Sequence, residues 1–305
     1  MTKTPVLLML FNRAETTEKV FQSLRESKPA KLFIAANGPR PDVPEDVAKC
    51  QAVKDIFKRI DWECEVRTYY QKTNIGMQPQ WYTALDWFFE HVESGVILED
   101  DCVPNASFFS FCETLLEKYR TEEKVMHING SNFQFGRKRG DASYYFSEYP
   151  HVWGWATWRR AWSKYDRKLS SFPKFKESGA MDRIANSAAE KNYWMKFFES
   201  IYSGRRDGSD VKWLYSIWAN GGICITPNIN MISNIGFGAD AEHTVIKDRI
   251  MDQDKIELNK VVHPKSAAFA PDRDADIYTF SSCFSKTFFQ KAYYVVVSRA
   301  SKLFR

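Results

Sequence analysis

The stretch Val96–Asp101, with the sequence VILEDD, is the clearest indication of the fold class. Three apolar residues lead directly into three consecutive acids, and the β-branched residues among them favour a strand. Helical patterns lie on both sides of it, over Gln80–His91 and Asn105–Arg120. An apolar strand between two helices is typical of a buried strand in a parallel sheet.

The same alternation of strand and helix runs through residues 1–130. It predicts an α/β fold with a mostly parallel central sheet flanked by helices. Ligands of such sheets bind beyond the carboxyl ends of the strands, so polar residues at those ends are site candidates. The other predicted elements are strands at Val6–Leu10, Lys31–Ala36, Trp62–Val66 and Lys124–His127, and helices at Glu15–Arg25 and Pro44–Ile60.

The pattern changes after residue 130. The polar stretch Gly130–Glu148 predicts a loop, and His151–Trp162 contains four tryptophans. Trp158 and Trp162 are four residues apart, which predicts one helix face packed into the core. Beyond them the sequence predicts helices at Asp182–Tyr202 and Asp210–Ala219 and a strand at Ile223–Ile225.

Charge is distributed unevenly along the 305 residues. The net charge of +5 equals the five cations of residues 283–305, which contain no acid. A neutral body argues against nucleic-acid binding, which needs a broad basic face. We expect residues 1–282 to form a single domain. The basic and aromatic tail, residues 283–305, either contacts an anionic membrane surface or docks on the body as a helix.

Composition also predicts the cellular setting. No stretch approaches the roughly 20 apolar residues that a spanning helix needs, and the first residues do not resemble a signal peptide. The six cysteines lack zinc-ligand spacing, which predicts reduced thiols. We therefore expect a cytoplasmic protein, with peripheral attachment to the inner face of the cell membrane if the tail binds lipid.

The three acids Glu99, Asp100 and Asp101 are the strongest chemical signal. Adjacent carboxylates repel each other when they are buried, and a divalent cation relieves that repulsion. Hard oxygen ligands suit Mn²⁺ or Mg²⁺. The alternative is a solvated acidic turn that precedes the helix at Asn105, and the residue pattern alone leaves both interpretations open.

Extended to residue 109, this stretch reads VILEDDCVPNASFF and resembles the metal-binding motif of GT-A fold nucleotide-sugar glycosyltransferases. The nearest likeness is to the N-acetylglucosaminyltransferase I family. Two earlier stretches are similar to that family's first strand and helix and to its later polar loop and helix. They are VLLMLFNRAETTEKVFQSL at 6–24 and YYQKTNIGMQPQWYTALDWFF at 69–89.

Two later stretches resemble the acceptor-side half of the same family. They are HVWGWATWRRAW at 151–162, which is also similar to bacterial proteins grouped with these transferases, and GGICITPNINMISNIGFG at 221–238. The resemblance implies a GT-A domain in which residues 1–130 bind the nucleotide sugar and residues 131–282 bind the acceptor.

The resemblance implies a role for several residues. Asp101 matches the acid that binds the metal, and Asp100 and Glu99 match acids that contact the donor's ribose or sugar. Further donor contacts are expected from polar residues that follow the first strands, namely Asn12, Arg13, Asn37 and Asn74. Arg13 could offset the charge that builds on the leaving diphosphate.

The resemblance to an inverting transferase also implies a general base and a late metal-side histidine. Asp210 lies near the family's catalytic position and is the candidate base, with Asp207 as its rival. Either acid could instead stabilise a helix N-terminus. His243 is a candidate next to the metal or the diphosphate, although a lone histidine is often structural, and His127 is expected in the core.

Aromatic residues predict the acceptor site. Trp153 and Trp155 flank Gly154, where a glycine permits a close approach to a ligand. Aromatic faces stack on sugar rings, so these three residues are expected to line the acceptor site, with a core role as the alternative.

Together these features predict a metal-dependent inverting glycosyltransferase. It would move a sugar from a nucleotide-diphosphate donor, a UDP-sugar first of all, to a hydroxyl of a glycan or lipid-linked glycan in bacterial surface polysaccharide synthesis. Two alternatives share the fold: a non-catalytic glycan-binding protein and a sugar-1-phosphate nucleotidyltransferase. The latter usually carries a glycine-rich basic loop after the first strand, and FNRAETTEK at 11–19 is not such a loop.

Overall fold

An eight-stranded sheet forms the centre of the protein, whose computed structural model describes residues 2–236, 250, 251, 253–265 and 268–285. The strands are β1 (Val6–Leu10), β2 (Lys31–Ala36), β3 (Glu65–Tyr70), β4 (Ser94–Glu99), β6 (Val125–Asn129), β7 (Tyr144–Ser147), β8 (Trp155–Trp158) and β9 (Ile223–Pro227). Their order is β3-β2-β1-β4-β8-β6-β9-β7, and only β7 and β8 run against the others. The predicted α/β fold with a mostly parallel central sheet is confirmed.

Helices cover both faces of this sheet. Along β1, Val6, Leu8 and Leu10 pack on one face, whereas Leu7 and Met9 pack on the other, as the alternation of side chains along a strand requires. The helices are α1 (Ala14–Ser27), α2 (Glu45–Ile56), α3 (Met77–His91), α4 (Ala106–Lys118), α5 (Arg159–Trp162), α6 (Phe172–Glu177), α7 (Ala180–Ile184), α8 (Ala188–Tyr202), α9 (Ser209–Ala219) and α10 (Arg273–Thr279).

The two faces carry different helices. Helices α1, α2 and α4 bury residues such as Phe21, Val53 and Phe108 against the first face. Helices α3, α8 and α9 bury residues such as Phe88 and Trp213 against the second. Because neighbouring parallel strands are joined through these helices, the carboxyl ends of β1, β2 and β4 meet at one edge.

The elements of the first half lie where the sequence predicts them, apart from shifted boundaries. Asn105 begins α4 because its side chain accepts a hydrogen bond from the amide of Phe108. The strand predicted at Trp62–Val66 begins later, at Glu65. Val47 in the first turn of α2 is 62% exposed, although it is apolar.

Three predictions for the second half are wrong. The predicted loop Gly130–Glu148 contains strand β7, and the region His151–Trp162 contains the central strand β8. The predicted helix Asp182–Tyr202 is broken at Ala185, whose backbone is extended, and α8 restarts with Ser187 as its cap. Strands buried on both faces show no alternation, so their sequence pattern is hard to separate from that of a buried helix.

A second, two-stranded sheet joins distant parts of the chain. Strand β5 (Cys102–Pro104) follows the acidic triplet directly and pairs antiparallel with β10 (Ile232–Asn234). This pairing carries residues 234–236 to the carboxyl end of β4.

Two segments with predicted roles fall outside the described residues. His243 is one of them, and the tail 283–305 is described only as far as Ser285. Among the described residues, no helix combines the length and the apolar character that crossing a bilayer requires.

Helix α10 covers β7 through a buried acid. The carboxylate of Asp276 accepts hydrogen bonds from Ser147 Oγ at 2.5 Å and from the amide of Glu148 at 3.0 Å. Burial raises the pKa of Asp276 to about 7, although its hydrogen bonds with Ser147 and Glu148 act in the opposite direction. Burial, and then repulsion by Asp276, raise the pKa of Glu148 to about 8, although Lys124 and Arg273 lower it. The charged groups that act on this pair are Glu190, Asp272, Lys124 and Arg273.

We expect the stability of the protein to fall as the pH rises from about 5 to 8. Unfolded carboxyls titrate near pH 4, so in this window the unfolded chain binds fewer protons than the folded protein and gains stability relative to it. Each group contributes a slope of about 1.4 kcal/mol per pH unit at most. The melting temperature measured across this range checks the trend.

Asp276→Asn should make that slope shallower, because it removes one of the buried carboxyls whose pKa is raised in the folded protein. Asp274→Asn, at an exposed position of the same helix, is the matched control and should keep the wild-type slope. An unchanged slope in Asp276→Asn would contradict this account.

Candidate active site

The acidic triplet lies at the carboxyl edge of the sheet. Glu99 ends β4, and Asp100 and Asp101 form the turn into β5. Both aspartates are buried, whereas Glu99 is half-buried. The predicted alternative of a solvated turn does not fit this burial, because charged groups are buried only with compensation.

Arg13 provides part of that compensation. It follows β1, and its guanidinium pairs with Asp100 and lies 2.8 Å from Asp101 Oδ2. The amide of Phe11 also donates to Asp100 Oδ2, at 3.4 Å. Within the described part of the chain, one cation thus faces three carboxylates, so these side chains keep an excess of negative charge when all three carboxyls are ionised.

The pKa values of the cluster report this excess. Burial, and then repulsion by Asp101 and Asp100, raise the pKa of Glu99 to about 8. Burial raises the pKa of Asp100 to about 6, although Arg13 acts in the opposite direction. A bound cation would favour the ionised forms.

The side chains fit a divalent cation. Oxygen atoms of Glu99 and Asp101 and the sulfur of Cys102 all lie within 4.8 Å of one another. Burial raises the pKa of the Cys102 thiol well above its usual value, which leaves the oxygens of Glu99 and Asp101 as the better candidate ligands, with a bound cation favouring the ionised form of Glu99. Such hard oxygen ligands suit Mg²⁺ or Mn²⁺.

Strand β10 completes this cluster. Asn234 Nδ2 lies 3.5 Å from Asp101 Oδ1, and Asn234 Oδ1 accepts a hydrogen bond from the amide of Gly236. A Cβ atom at Gly236 would lie 1.9 Å from Asp101 Oδ2. Only a glycine therefore allows the chain to pass this close to the carboxylate.

The three predicted donor-side asparagines hold the loops of this edge. Asn12 Nδ2 donates to Asp46 at 2.7 Å. Asn37 Oδ1 accepts from the amides of Gly38 and Ile75, and Asn74 Oδ1 accepts from the amide of Gly76. Their side chains are thus engaged in loop contacts, and their predicted contacts with a donor stay predictions.

An ion pair next to Asn12 was not predicted from the sequence. Arg40 contacts both carboxylate oxygens of Asp46, at 2.6 and 3.0 Å. These bonds lower the pKa of Asp46 to about 2, so it stays ionised. The available sequence signal for this pair was Asp46 itself, an acid in the first turn of α2 that follows the turn Asn37-Gly38-Pro39.

The candidate base Asp210 lies on the same edge. Its charge is one of those that raise the pKa of Glu99, and it occupies the exposed first turn of α9. The start of α9 is tied to α3 by a hydrogen bond from Ser209 to Gln78. The rival Asp207 forms an ion pair with Lys212 instead.

The predicted acceptor residues separate into two groups. Trp153 is half-buried against the ring of Phe133, and Gly154 has a φ of 63° that favours glycine. Trp155 is 0% exposed and stacks on His127 and Trp81. Its predicted role at an acceptor surface is therefore wrong, because it lies in the core.

The predictions that His127, Trp158 and Trp162 lie in the core are confirmed, although Trp158 is buried for a different reason from the one predicted. His127 is buried and accepts a hydrogen bond from Trp213 Nε1, and burial lowers its pKa to about 3. Trp158 and Trp162 are also buried, but Trp158 lies in β8 and not on a shared helix face.

A cleft next to Asp210 was not predicted. It has a volume of about 470 Å³ and joins the second half of α8 to the loop before α9. Burial raises the pKa of Tyr193 in this cleft; the charge of Arg206 lowers it and that of Asp210 raises it further. Arg206 also lies over the ring of Phe197 at 5.3 Å. The cleft is lined by Tyr193, Lys196, Phe197, Glu199, Ser200, Arg205 and Arg206.

Solved structures that are similar to this chain include the two that follow. No protein-family model and no curated protein matches the chain. A mannosyltransferase from Pyrobaculum calidifontis, solved with GDP-Man and Mn²⁺, aligns with a TM-score of 0.38 and 10% identity over 72% of this chain and 69% of its own. The 4-diphosphocytidyl-2C-methyl-D-erythritol synthase from Anaerococcus prevotii aligns with 0.37 and 11%, over 75% and 90%.

Both similar proteins are enzymes. With TM-scores below 0.5, these likenesses carry no argument about activity, which depends instead on the geometry of the site. The resemblance to the N-acetylglucosaminyltransferase I family stays a prediction.

Proposed function

We propose that this protein is a metal-dependent glycosyltransferase of the GT-A type. It would take a sugar from a nucleoside-diphosphate donor, a UDP-sugar first of all, and transfer it to a hydroxyl of a glycan. The observation that carries this proposal is the buried acid cluster at the carboxyl edge of a mostly parallel sheet, with Arg13 inside it and Asp210 beside it.

The residues divide the chemistry between them. Asp101 and Glu99 would hold Mn²⁺ or Mg²⁺, and the ion supplies positive charge for the diphosphate leaving group. Arg13 keeps Asp100 and Asp101 in place and adds a second positive charge at the same edge. Asp210 accepts the proton of the acceptor hydroxyl, as inversion requires a base on the side opposite the diphosphate.

The acceptor side is proposed around Trp153 and Gly154 and the cleft at Tyr193. Aromatic faces and cations in that cleft suit a glycan with an anionic group, such as a lipid-linked precursor of a bacterial surface polysaccharide. We propose that residues 1–130 bind the donor and residues 131–282 the acceptor. We also propose that His243 lies near the metal. The protein would be cytoplasmic, and its tail, residues 283–305, would contact the membrane.

Calorimetric titration with nucleoside diphosphates tests the donor site. UDP, GDP, CDP and ADP are each titrated with and without Mn²⁺. Binding of one nucleotide that requires Mn²⁺ supports the proposal and identifies the base for screens with nucleotide sugars. Absence of binding in all conditions would contradict it and favour a glycan-binding protein of the same fold.

Nucleotidyl transfer is separated from glycosyl transfer by its product. A nucleotidyltransferase would release pyrophosphate from a sugar 1-phosphate and a nucleoside triphosphate. We expect no such release, because the segment after β1 is neither rich in glycine nor strongly basic.

A further inference from the structure

Gln80 is a buried amide that has no hydrogen-bond partner among the residues that the structure describes. It is 6% exposed, and neither its Nε2 nor its Oε1 forms a hydrogen bond. Buried amides in native proteins almost always form hydrogen bonds. An unpaired one loses its hydrogen bonds to water on folding and forms none in the protein, which destabilises the folded state. Gln80 therefore does not stabilise the fold through its amide, and a role in binding a ligand would explain why a glutamine occupies this position.

The position of Gln80 points to the candidate active site. It lies on α3 one turn before Ala84 and two turns before Phe88, which pack into the face of the sheet. In β4 the side chain of Glu99 extends to the same face as that of Ile97. Of the α3 residues Gln80, Ala84 and Phe88, which lie along this face, Gln80 is thus nearest the end of the sheet where the acids lie.

A second unpaired donor lies in the same layer. Trp155 Nε1 is buried without a partner, and its ring stacks on that of Trp81, the neighbour of Gln80. Trp155 also pairs with Ile97 of β4. Two of the three side chains with unpaired buried atoms in the described part of the chain therefore lie on the α3 side of β4.

We propose that Gln80 is a specificity-determining residue that hydrogen-bonds the sugar of the donor. This inference rests on the proposed function. A primary amide offers two donors and an acceptor, which matches a sugar hydroxyl or an acetamido group. Gln78, two residues earlier, is bonded to Ser209 beside the candidate base, so α3 approaches the reacting end of the donor and not its nucleoside.

The variant Gln80→Met tests this proposal, because it keeps the length of the side chain and removes the amide. Two sets of calorimetric titrations in Mn²⁺ are compared. One set uses the sugar donors UDP-glucose, UDP-N-acetylglucosamine and GDP-mannose, and the other uses the sugar-free ligands UDP and GDP. We expect the variant to bind the nucleoside diphosphate like the wild type and the nucleotide sugar at least about tenfold more weakly.

Stability gives an independent readout. Without ligands, Gln80→Met should melt at the same or a higher temperature than the wild type, because no hydrogen bond is lost and two unpaired polar atoms leave the interior. A structural glutamine would behave in the opposite way. Gln51→Met, at an exposed position of α2, is the control and should change neither binding nor melting.

Other outcomes overturn the inference. Unchanged binding of the nucleotide sugar by Gln80→Met would do so, and so would a lowered melting temperature or a failure to fold, each of which indicates a structural role. If the wild type binds no nucleotide with or without Mn²⁺, the proposed function itself fails. That outcome is distinguished from the others because it appears before any variant is made.

Discussion

Asp101→Asn should abolish the metal-dependent part of donor binding. The change removes one of the two carboxylates that could hold the ion and leaves the shape of the side chain nearly intact. A metal at a diphosphate contributes several kcal/mol to the transition state, so we expect the transfer rate to fall about 10³-fold or more. The affinity for the nucleoside diphosphate should fall to its value without Mn²⁺.

The fold itself should tolerate this substitution. Removing one charge from three crowded carboxylates relieves repulsion, so the melting temperature without metal should stay equal or rise. Asp141→Asn, in an exposed loop, is the matched control and should bind like the wild type. If Asp101→Asn still bound the nucleoside diphosphate in a Mn²⁺-dependent way, that result would contradict the proposed metal site.

Asp210→Asn should separate transfer from binding. An asparagine cannot accept the proton of the acceptor hydroxyl, and loss of a general base costs about 10²- to 10⁴-fold in rate. Donor affinity should remain, because Asp210 lies on α9 and not in the acid cluster. Rates at saturating donor and acceptor, with donor affinity measured separately, check this prediction.

Asp207→Asn decides between the two candidate bases. Asp207 pairs with Lys212, so its loss should change the rate by less than about tenfold. A large loss in Asp207→Asn with little effect in Asp210→Asn would reverse the assignment. Neither variant should lower stability by more than about 1 kcal/mol, since both acids are exposed near a helix terminus.

The order of strands and helices in the first half could be predicted from the sequence, because each element there is a separate run with a clear boundary. The acids after β4 could be found for the same reason: three charges follow an apolar strand. The rule that ligands bind at the carboxyl edge then indicated where Arg13 and the asparagines would lie. These inferences need only local patterns.

The second half depends on contacts that the sequence does not reveal. Strand β8 has the sequence WATW and is buried on both faces, so nothing in its pattern separates it from an aromatic surface. Trp155 was accordingly misplaced. Gln80 and the Arg40–Asp46 pair were missed because their meaning comes from burial and from partners, neither of which a linear sequence displays.

The antiparallel strand β8 has a consequence for synthesis. It fills the space between β4 and β6, so both of these strands expose an unpaired backbone until Trp155–Trp158 has left the ribosome. Nascent chains aggregate through the unpaired edges of apolar strands. We therefore expect a chain that stops at residue 130 to be captured by chaperones or to precipitate, whereas one extended past β9 should remain in solution.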